Sequence, residues 1–402
     1  MYSPTADRMS PEERRAGVSL AAIFGLRMFG LFMALPVLAI YARGLPGGED
    51  MGLVGLAIGA YGLAQACLQI AFGAASDRWG RKPVIAAGLV VFAIGSALAA
   101  VAGDLGTLIG ARIIQGAGAI SAAVTALAAD LTREQHRTKV MAMIGSSIGL
   151  IFAVSLVVAP MLYQWVGMTG IFWITSLMGI GAIALLYRVV PAEPPHVARG
   201  NRATFLEVLG NRQLLRLNFG VFALHVMQTA LWVVVPVALV HAGGLALPQH
   251  WQVYLPVVLV SFVVMVPAII AAERRGKMRA VFCGAVALLA LVQVGFLFFS
   301  GNVWVLALWL ILFFVAFNIL EATQPSLISR LAPPGVKGAA LGIYNTTQSI
   351  GLFLGGALGG AVFKVGGAMM VHAACLVLAL VWLSLAATTT FVPVVESSLR
   401  GH

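Results

Sequence analysis

Residues 17–43 read GVSLAAIFGLRMFGLFMALPVLAIYAR, an apolar run whose interior carries a single charge, Arg27. A helix needs about 20 apolar residues to cross about 30 Å of hydrocarbon, so this run predicts a transmembrane helix. Eleven further apolar runs follow and predict eleven more such helices. They are expected at roughly 51–76, 83–102, 105–129, 138–163, 166–189, 213–241, 251–272, 280–300, 303–330, 337–363 and 367–391. The sequence therefore predicts an all-α membrane protein with twelve transmembrane helices.

The composition excludes a soluble protein. Of 402 residues, 60% are hydrophobic and 10% are charged, whereas about a quarter of the residues in a soluble domain are charged. The net charge of +11 does not indicate a nucleic-acid partner, because the Lys and Arg residues lie in short loops between apolar runs. Cys67, Cys283 and Cys375 lie in separate apolar runs without metal-ligand spacing, so we expect neither a metal site nor a cofactor.

The distribution of basic residues predicts the orientation in the membrane. Twelve spans place both termini on one side, and the tails and loops of that side carry 21 of the 25 Lys and Arg residues. The positive-inside rule then places both termini in the cytoplasm. The polar tail 1–16 lacks the features of a secretory signal, so we expect the first helix to remain in a multi-pass protein of the cell (inner) membrane.

A long polar break and an internal repeat predict two halves. Asp77-Arg78-Trp-Gly80-Arg81 follows the second run, and Glu273-Arg-Arg-Gly-Lys277 follows the eighth at an offset of 196 residues. A site between two repeated halves is a common plan of transporters. The predicted division is a cytoplasmic tail at 1–16, a six-helix half at 17–190, a cytoplasmic linker at 191–212, a second six-helix half at 213–391 and a cytoplasmic tail at 392–402.

Two motifs resemble those of a known family. The stretch from Gly73 to Lys82, GAASDRWGRK, resembles the signature loop between helices 2 and 3 of the major facilitator superfamily. RIIQGAG, from Arg112 to Gly118, resembles the helix-4 signature of its drug/proton antiporters, and most of the chain is similar to the YajR-type transporters. The resemblance implies the major facilitator fold with two pseudo-symmetric six-helix halves. YajR-type chains can continue into a small soluble domain, which we do not expect after His402.

The signature loop predicts a conformational clasp at the cytoplasmic surface. A carboxylate at Asp77 can face the N-terminus of a neighbouring helix near Lys337, and Arg81 can reach Asp130. The alternative is that the basic residues only set the topology. The predicted clasp consists of Gly73, Asp77, Arg78, Gly80, Arg81, Lys82 and Asp130.

Charges inside the apolar runs predict a polar cavity. Arg27, Arg112 and Glu321 lie well inside their runs, and a charge in hydrocarbon costs at least about 2.5 kcal/mol, so each needs a partner or a hydrated cavity. In the resembled family, helices 1, 4, 7 and 10 line the cavity. The predicted substrate cavity consists of Arg27, Arg112, Gln115, Asn318 and Glu321.

Glu321 is the only acid predicted inside the membrane, and it is therefore our candidate for the coupling proton. Arg27 is its candidate counter-charge, and His225 is a second candidate for proton transfer. Two alternatives stay open: Arg27 and Glu321 can form a permanent strut, and His225 can simply bond a neighbouring helix.

The leading functional prediction is a proton-coupled transporter that exports a small amphipathic or anionic compound by alternating access. Its expected partners are a small-molecule substrate, protons and the lipid bilayer, and we expect a monomer. The alternatives are an importer or uniporter of the same fold and a membrane sensor or scaffold without transport. The hydrolase pattern G-x-S-x-G at 145–149 lies inside a predicted helix, so we do not expect an enzyme.

Overall fold

The computed structural model describes residues 9–193, 203–241, 244–299, 301–332 and 337–389, and within these ranges the regular structure is helical. Most of the helices are long enough to cross a bilayer. In order they are α1 Pro11–Arg43, α2 Met51–Trp79, α3 Arg81–Ala100, α4 Leu105–Ala117, α5 Ser121–Asp130, α6 Glu134–Arg188, α7 Ala203–Gly210, α8 Arg212–His241, α9 Trp251–Arg274, α10 Met278–Phe298, α11 Val303–Leu331 and α12 Lys337–Ala387, with a 3-10 turn at Leu247–Gln249.

The described residues contain twelve membrane-spanning helices. Ten segments within them are long and apolar enough to cross a membrane, and α4 and α5 together form one of these segments. Two segments, Lys139–Arg188 and Ala339–Ala387, have 50 and 49 residues, about twice the length that one span needs. Each is divided by non-helical backbone, at Gly167 in α6 and at Gly366 and Gly367 in α12. The predicted number of spans is therefore confirmed.

The first helix begins earlier than its apolar run. The Ser10 side chain accepts a hydrogen bond from the Glu13 backbone N–H, and the Glu13 carboxylate accepts one from the Ser10 N–H, at 3.1 and 2.8 Å. This capping box, with Pro11 in the first turn, starts α1 six residues before the predicted span. The helix thus extends beyond the predicted span, because hydrophobicity marks the part of a helix in the membrane, while its polar first turn lies outside.

The fourth span is not the continuous helix that the sequence predicts. α4 ends at Ala117 and α5 begins at Ser121, so the span is interrupted at residues 118–120. A Cβ atom on Gly118 would lie 2.4 Å from the Gly88 carbonyl oxygen of α3, and one on Gly95 of α3 would lie 2.2 Å from the Gln115 nitrogen. The backbones of α3 and α4 therefore approach each other directly, which only glycine permits.

The chain divides into two compact units, residues 1–200 with 247–251 and residues 201–246 with 252–402. The division near residue 200 falls within the predicted linker 191–212, of which residues 203–210 form the short helix α7. Residues 194–202 of that linker, residues 1–8 of the predicted first tail and the whole predicted tail 392–402 lie outside the described residues.

In both units, basic side chains donate hydrogen bonds to carbonyl oxygens at the C-terminal end of the last helix. In the first unit, Arg15 of α1 donates to the Arg188 carbonyl oxygen and Lys82 of α3 to the Val190 carbonyl oxygen, at 3.4 and 2.8 Å. In the second unit, Arg216 of α8 and Arg279 of α10 donate to the carbonyl oxygens at Thr388 and Ala387, at 2.6 and 2.8 Å. Cations at a helix C-terminus satisfy its free carbonyl groups and its dipole. The repeated halves of the sequence thus share a structural device.

Candidate transport site

Arg27 lies inside the first unit, completely buried, where it joins three helices. Its Nη2 donates to the Tyr61 hydroxyl and, at 3.2 Å, to the Gln65 side-chain oxygen of α2. Its Nη1 lies 3.4 Å from the Ser121 hydroxyl oxygen at the start of α5. The helix rise places Arg27 about three turns from the start of the apolar run. All three hydrogen-bonding partners are neutral, so they solvate the guanidinium without neutralising it.

Arg112 lies in the same unit and is also completely buried. One of its Nη atoms donates to the Gln115 side-chain oxygen one turn later in α4. The Gln115 amide nitrogen in turn donates to the Ser96 hydroxyl of α3 at 2.9 Å, which fixes the orientation of the amide. Gln115 therefore presents its oxygen to Arg112 because its nitrogen is held by a neighbouring helix.

Tyr61 connects the two arginines and was missed by the sequence reasoning. The guanidinium carbons of Arg27 and Arg112 lie 5.7 and 5.3 Å from the centre of its ring, and Arg27 also lies 5.8 Å from the ring centre of Phe92. A cation over an aromatic face is stabilised by about 0.5–2 kcal/mol. Within the part of the chain that the structure describes, no acidic side chain forms an ion pair with either arginine.

The second unit contains the predicted acid, Glu321, on α11. Its Oε2 lies 3.6 Å from His225 Nε2 on α8, and its Oε1 lies 3.4 Å from the amide nitrogen of Gln348 on α12. The His225 side chain is buried, whereas that of Glu321 keeps a third of its surface exposed. The structure therefore brings the two predicted proton-transfer residues of this unit together and adds Gln348 to them.

The hydrogen bonds of His225 determine its tautomer. Its Nδ1 lies 2.9 Å from the Val221 carbonyl oxygen, which can only accept, so Nδ1 carries a proton. Nε2 of a neutral imidazole is then an acceptor, and the Gln348 amide nitrogen donates to it at 2.7 Å. A proton placed on Nε2 would make it a donor, so the Gln348 amide nitrogen could no longer donate to it.

Asn318 contacts a neighbouring helix. Its amide nitrogen donates at 3.1 Å to the hydroxyl of Ser261, a buried residue of α9. This bond links α11 to α9 one turn from Glu321. The predicted role of Asn318 in a substrate cavity stays a prediction, as does the pairing of Arg27 with Glu321.

The predicted clasp residues surround Arg81 at the start of α3. Arg81 Nε lies 3.1 Å from Asp130 Oδ2 at the end of α5, and its Nη1 lies 2.5 Å from Asp77 Oδ1 near the end of α2. The Ser76 hydroxyl accepts a further bond from Nη1 at 2.7 Å. The contact with Asp130 is the one that the sequence predicts. Arg81 thus joins the ends of α2 and α5 to the start of α3.

Glu193, which follows the last helix of the first unit, completes the clasp and was not predicted. Its carboxylate accepts from the backbone N–H groups of Arg81 and Lys82, at 3.1 and 2.8 Å, and caps α3. Gly80 has φ of +94°, and a Cβ atom there would lie 2.8 Å from Glu193 Oε1. The glycine is therefore required by both backbone angle and space.

The other two clasp residues have simpler surroundings. Arg78 is exposed to solvent, and a Cβ atom on Gly73 would meet Ala122 at an ordinary contact distance of 3.5 Å. The surroundings of Arg78 and Gly73 give no structural reason for their presence in the signature loop. The predicted contact of Asp77 with a helix N-terminus near Lys337 stays a prediction.

An ion pair between buried Glu13 and exposed Arg133, near the start of α1, was also not predicted. The Glu13 carboxylate is buried and accepts from the Arg133 backbone N–H and from its Nε and Nη2, each at 2.9 Å. These hydrogen bonds raise the pKa of the Arg133 guanidinium above its ordinary value. The spacing of 120 residues between the partners gives no local signal in the sequence.

The remaining described residues hold no group of three or more His, Cys, Asp or Glu side chains arranged for a metal ion. Cys67, Cys283 and Cys375 are free thiols. The candidate transport residues are therefore Arg27, Arg112 and Tyr61 in the first unit and Glu321, His225 and Gln348 in the second.

Comparison with known proteins assigns the family. The profile of the Major Facilitator Superfamily matches residues 18–356. The Inner membrane transport protein YajR of Escherichia coli (strain K12) is 44% identical over 397 residues, which cover 98% of this chain and 87% of the relative. The Multidrug resistance protein MdtH of Aeromonas hydrophila subsp. hydrophila is 26% identical over 368 residues, 89% of this chain and 88% of that protein.

The fold is also that of solved transporters. The crystal structure of a bacterial homolog to the human lysosomal transporter Spinster, in an inward-facing and occupied conformation, aligns with a TM-score of 0.75 at 11% identity. The alignment covers 95% of this chain and 98% of that one. The chain therefore belongs to the major facilitator superfamily, and it is a multi-pass membrane transporter rather than an enzyme.

Proposed function

We propose that the protein is a proton-coupled secondary transporter that exports a small amphipathic or anionic compound by alternating access. The observation that carries this proposal is the Glu321 carboxylate inside the membrane with His225 Nε2 at 3.6 Å. Ionisable groups inside a membrane are costly, and those that proteins retain there commonly belong to ion pathways or proton relays. Proton uptake and release at this pair would supply the energy for transport.

Gln348 would couple protonation of the Glu321–His225 pair to the packing of α12. Its amide nitrogen lies within hydrogen-bonding distance of both His225 Nε2 and Glu321 Oε1. On the next turn of α12, a Cβ atom at Gly351 would lie 3.2 Å from the His225 Cβ. A change in the hydrogen bonds of Gln348 would therefore move atoms at the contact between α8 and α12. Because the two helices are closely packed there, even a small shift alters their packing.

The clasp around Arg81 would stabilise one conformation of the transport cycle. Its Arg81–Asp130 pair joins two helices that are separate in sequence, its Arg81–Asp77 pair adds a local contact, and the Arg81 side chain is largely covered. Such a contact shifts a two-state equilibrium when it is present in only one of the states. We infer the same of Glu193, which holds the loop from the other side.

Two names among the relatives support direction and location. YajR is called an inner membrane transport protein and MdtH a multidrug resistance protein. We therefore place this protein in the inner membrane, with both termini cytoplasmic as the basic loops predict, and favour export over import. We expect it to act as a monomer.

The test is flux in proteoliposomes with the pH gradient imposed in either direction. A panel of amphipathic dyes and arylsulfonates serves as probe, with a protonophore added in a parallel sample. We expect uphill movement against the proton flow, reversal when the gradient is reversed, and loss with the protonophore. Flux that is insensitive to the gradient would instead indicate a uniporter, and no flux with any probe would favour a sensor or scaffold.

A further inference from the structure

Two cations of the first unit form no ion pair with any residue that the structure describes. Arg27 and Arg112 are completely buried, both adjoin the Tyr61 ring, and their described partners are neutral oxygens and aromatic rings. Taking a cation out of water costs several kcal/mol even after relaxation, and neutral partners offset that cost less than a counter-charge does. Packing alone does not account for two buried guanidinium groups beside one aromatic ring.

Both guanidinium groups also keep unused hydrogen-bond donors. Among the described residues, Nε of Arg27 and Nε of Arg112 have no hydrogen-bond partner, although both atoms are buried. A guanidinium binds a carboxylate or sulfonate through parallel N–H groups, and Nε with a neighbouring Nη forms one such pair. The Nε atoms are therefore the donors that remain for an oxyanion, whereas Nη2 of Arg27 already donates to Tyr61 and Gln65.

Apolar groups lie beside the cations. Tyr61 forms a buried cluster with Leu31 and Phe92, and Met28 and Phe32 pack against it, partly exposed. A ligand whose anionic end reached the arginines would place its body against these side chains. Hydrophobic and aromatic walls with a few convergent polar groups are typical of small-molecule sites.

We infer that Arg27, Arg112 and Tyr61 bind the anionic group of an amphipathic organic anion, an aryl carboxylate or sulfonate. This rests on the proposed function and narrows it, since it excludes organic cations and neutral compounds as preferred substrates. The two arginines supply the charge, and Gln65 and Gln115 orient them. Because the guanidinium groups are covered in this structure, the anion must enter in a state where they are open, as alternating access requires.

The test uses binding to the full chain in a non-ionic detergent, at fixed pH and with no gradient. Naphthalene-2-sulfonate, its neutral sulfonamide and a naphthyl trimethylammonium salt serve as matched probes, and the shift of the unfolding temperature with ligand concentration gives each Kd. We expect the sulfonate to bind about tenfold or more tightly than the sulfonamide, and the cation not to bind. Equal binding of the sulfonate and the sulfonamide would overturn the inference.

Variants locate the site. Arg27→Gln and Arg112→Gln should each raise the Kd of the sulfonate about tenfold or more and leave that of the sulfonamide unchanged. Arg43→Gln, an exposed arginine at the other end of α1, is the matched control and should change neither. If a glutamine variant does not fold, Arg27→Lys and Arg112→Lys keep the charge but lose the paired N–H groups, and they too should weaken sulfonate binding. Unchanged Kd values in the folded variants would contradict the assignment.

Different results would refute the proposed transport mechanism and the proposed anion subsite. Absence of sulfonate binding together with proton-driven flux of another compound would refute the anion subsite and leave the transport mechanism standing. Specific sulfonate binding that depends on Arg27 and Arg112, in a protein without proton-driven flux, would refute the mechanism and leave the subsite standing.

Discussion

Replacing Gly355 with alanine tests how closely α12 packs on α8. A Cβ atom at this position would lie 2.5 Å from the Val226 carbonyl oxygen and 2.8 Å from Val226 Cα. Since ordinary contact begins at 3.4 Å, the two helices must separate locally by about 0.9 Å. Overpacking costs about 1–3 kcal/mol, and the upper end applies because the opposing atoms are backbone. Alanine's better helix propensity offsets about 1 kcal/mol, so we expect a loss of about 2 kcal/mol.

The assay is thermal unfolding of the purified protein in detergent, with the monodisperse fraction after heating as a second readout. Gly342→Ala is the control on the same helix, because a Cβ atom there meets nothing within 4 Å. We expect the control to match the wild type or to exceed it slightly. If Gly355→Ala were as stable as Gly342→Ala, the close approach of α8 and α12, and with it the coupling of Gln348 to that interface, would be refuted.

Three further changes test the ends of the helices. Gly80→Ala should lower stability by about 1–2 kcal/mol because alanine rarely adopts φ of +94°, as measured by thermal unfolding beside Gly103→Ala, which has open space. Asp130→Asn should shift the balance of conformations by about 0.5–1 kcal/mol, measured as distance distributions between spin labels, since it leaves Arg81 only its Asp77 pair. Ser10→Ala should cost about 1 kcal/mol at the start of α1, seen as faster hydrogen exchange confined to its first turns.

The sequence predicted the spans because hydrophobic length is a property of each segment alone. It could not predict the break at Gly118, which depends on the backbone of α3 lying against it. The extension of α1 ahead of its apolar run was also not predicted, although the signal was present in Ser10, Pro11 and Glu13 at the capped helix start.

The residues of the candidate site likewise fall into those that the sequence predicted and those that it did not. Arg27, Arg112 and Glu321 were predicted because a charge in an apolar run is conspicuous without any structure. Tyr61 was not, because one aromatic residue in an apolar run is unremarkable until two guanidinium groups adjoin it. The proximity of His225 to Glu321 depends on how α8 and α11 pack, and Glu193 caps α3 from 111 residues away. These contacts follow from tertiary structure, which no local pattern specifies.

The central claim is that the Glu321–His225 pair carries the coupling proton. Its most direct test compares Glu321→Gln with the wild type in proteoliposomes, in uphill flux driven by a pH gradient and in exchange of labelled for unlabelled probe without a gradient. Glu49→Gln, an exposed acid outside the spans, is the control. We predict that Glu321→Gln loses uphill flux and keeps exchange, because the cavity still opens to both sides while no proton is carried. Uphill flux at the wild-type rate in that variant would contradict the account.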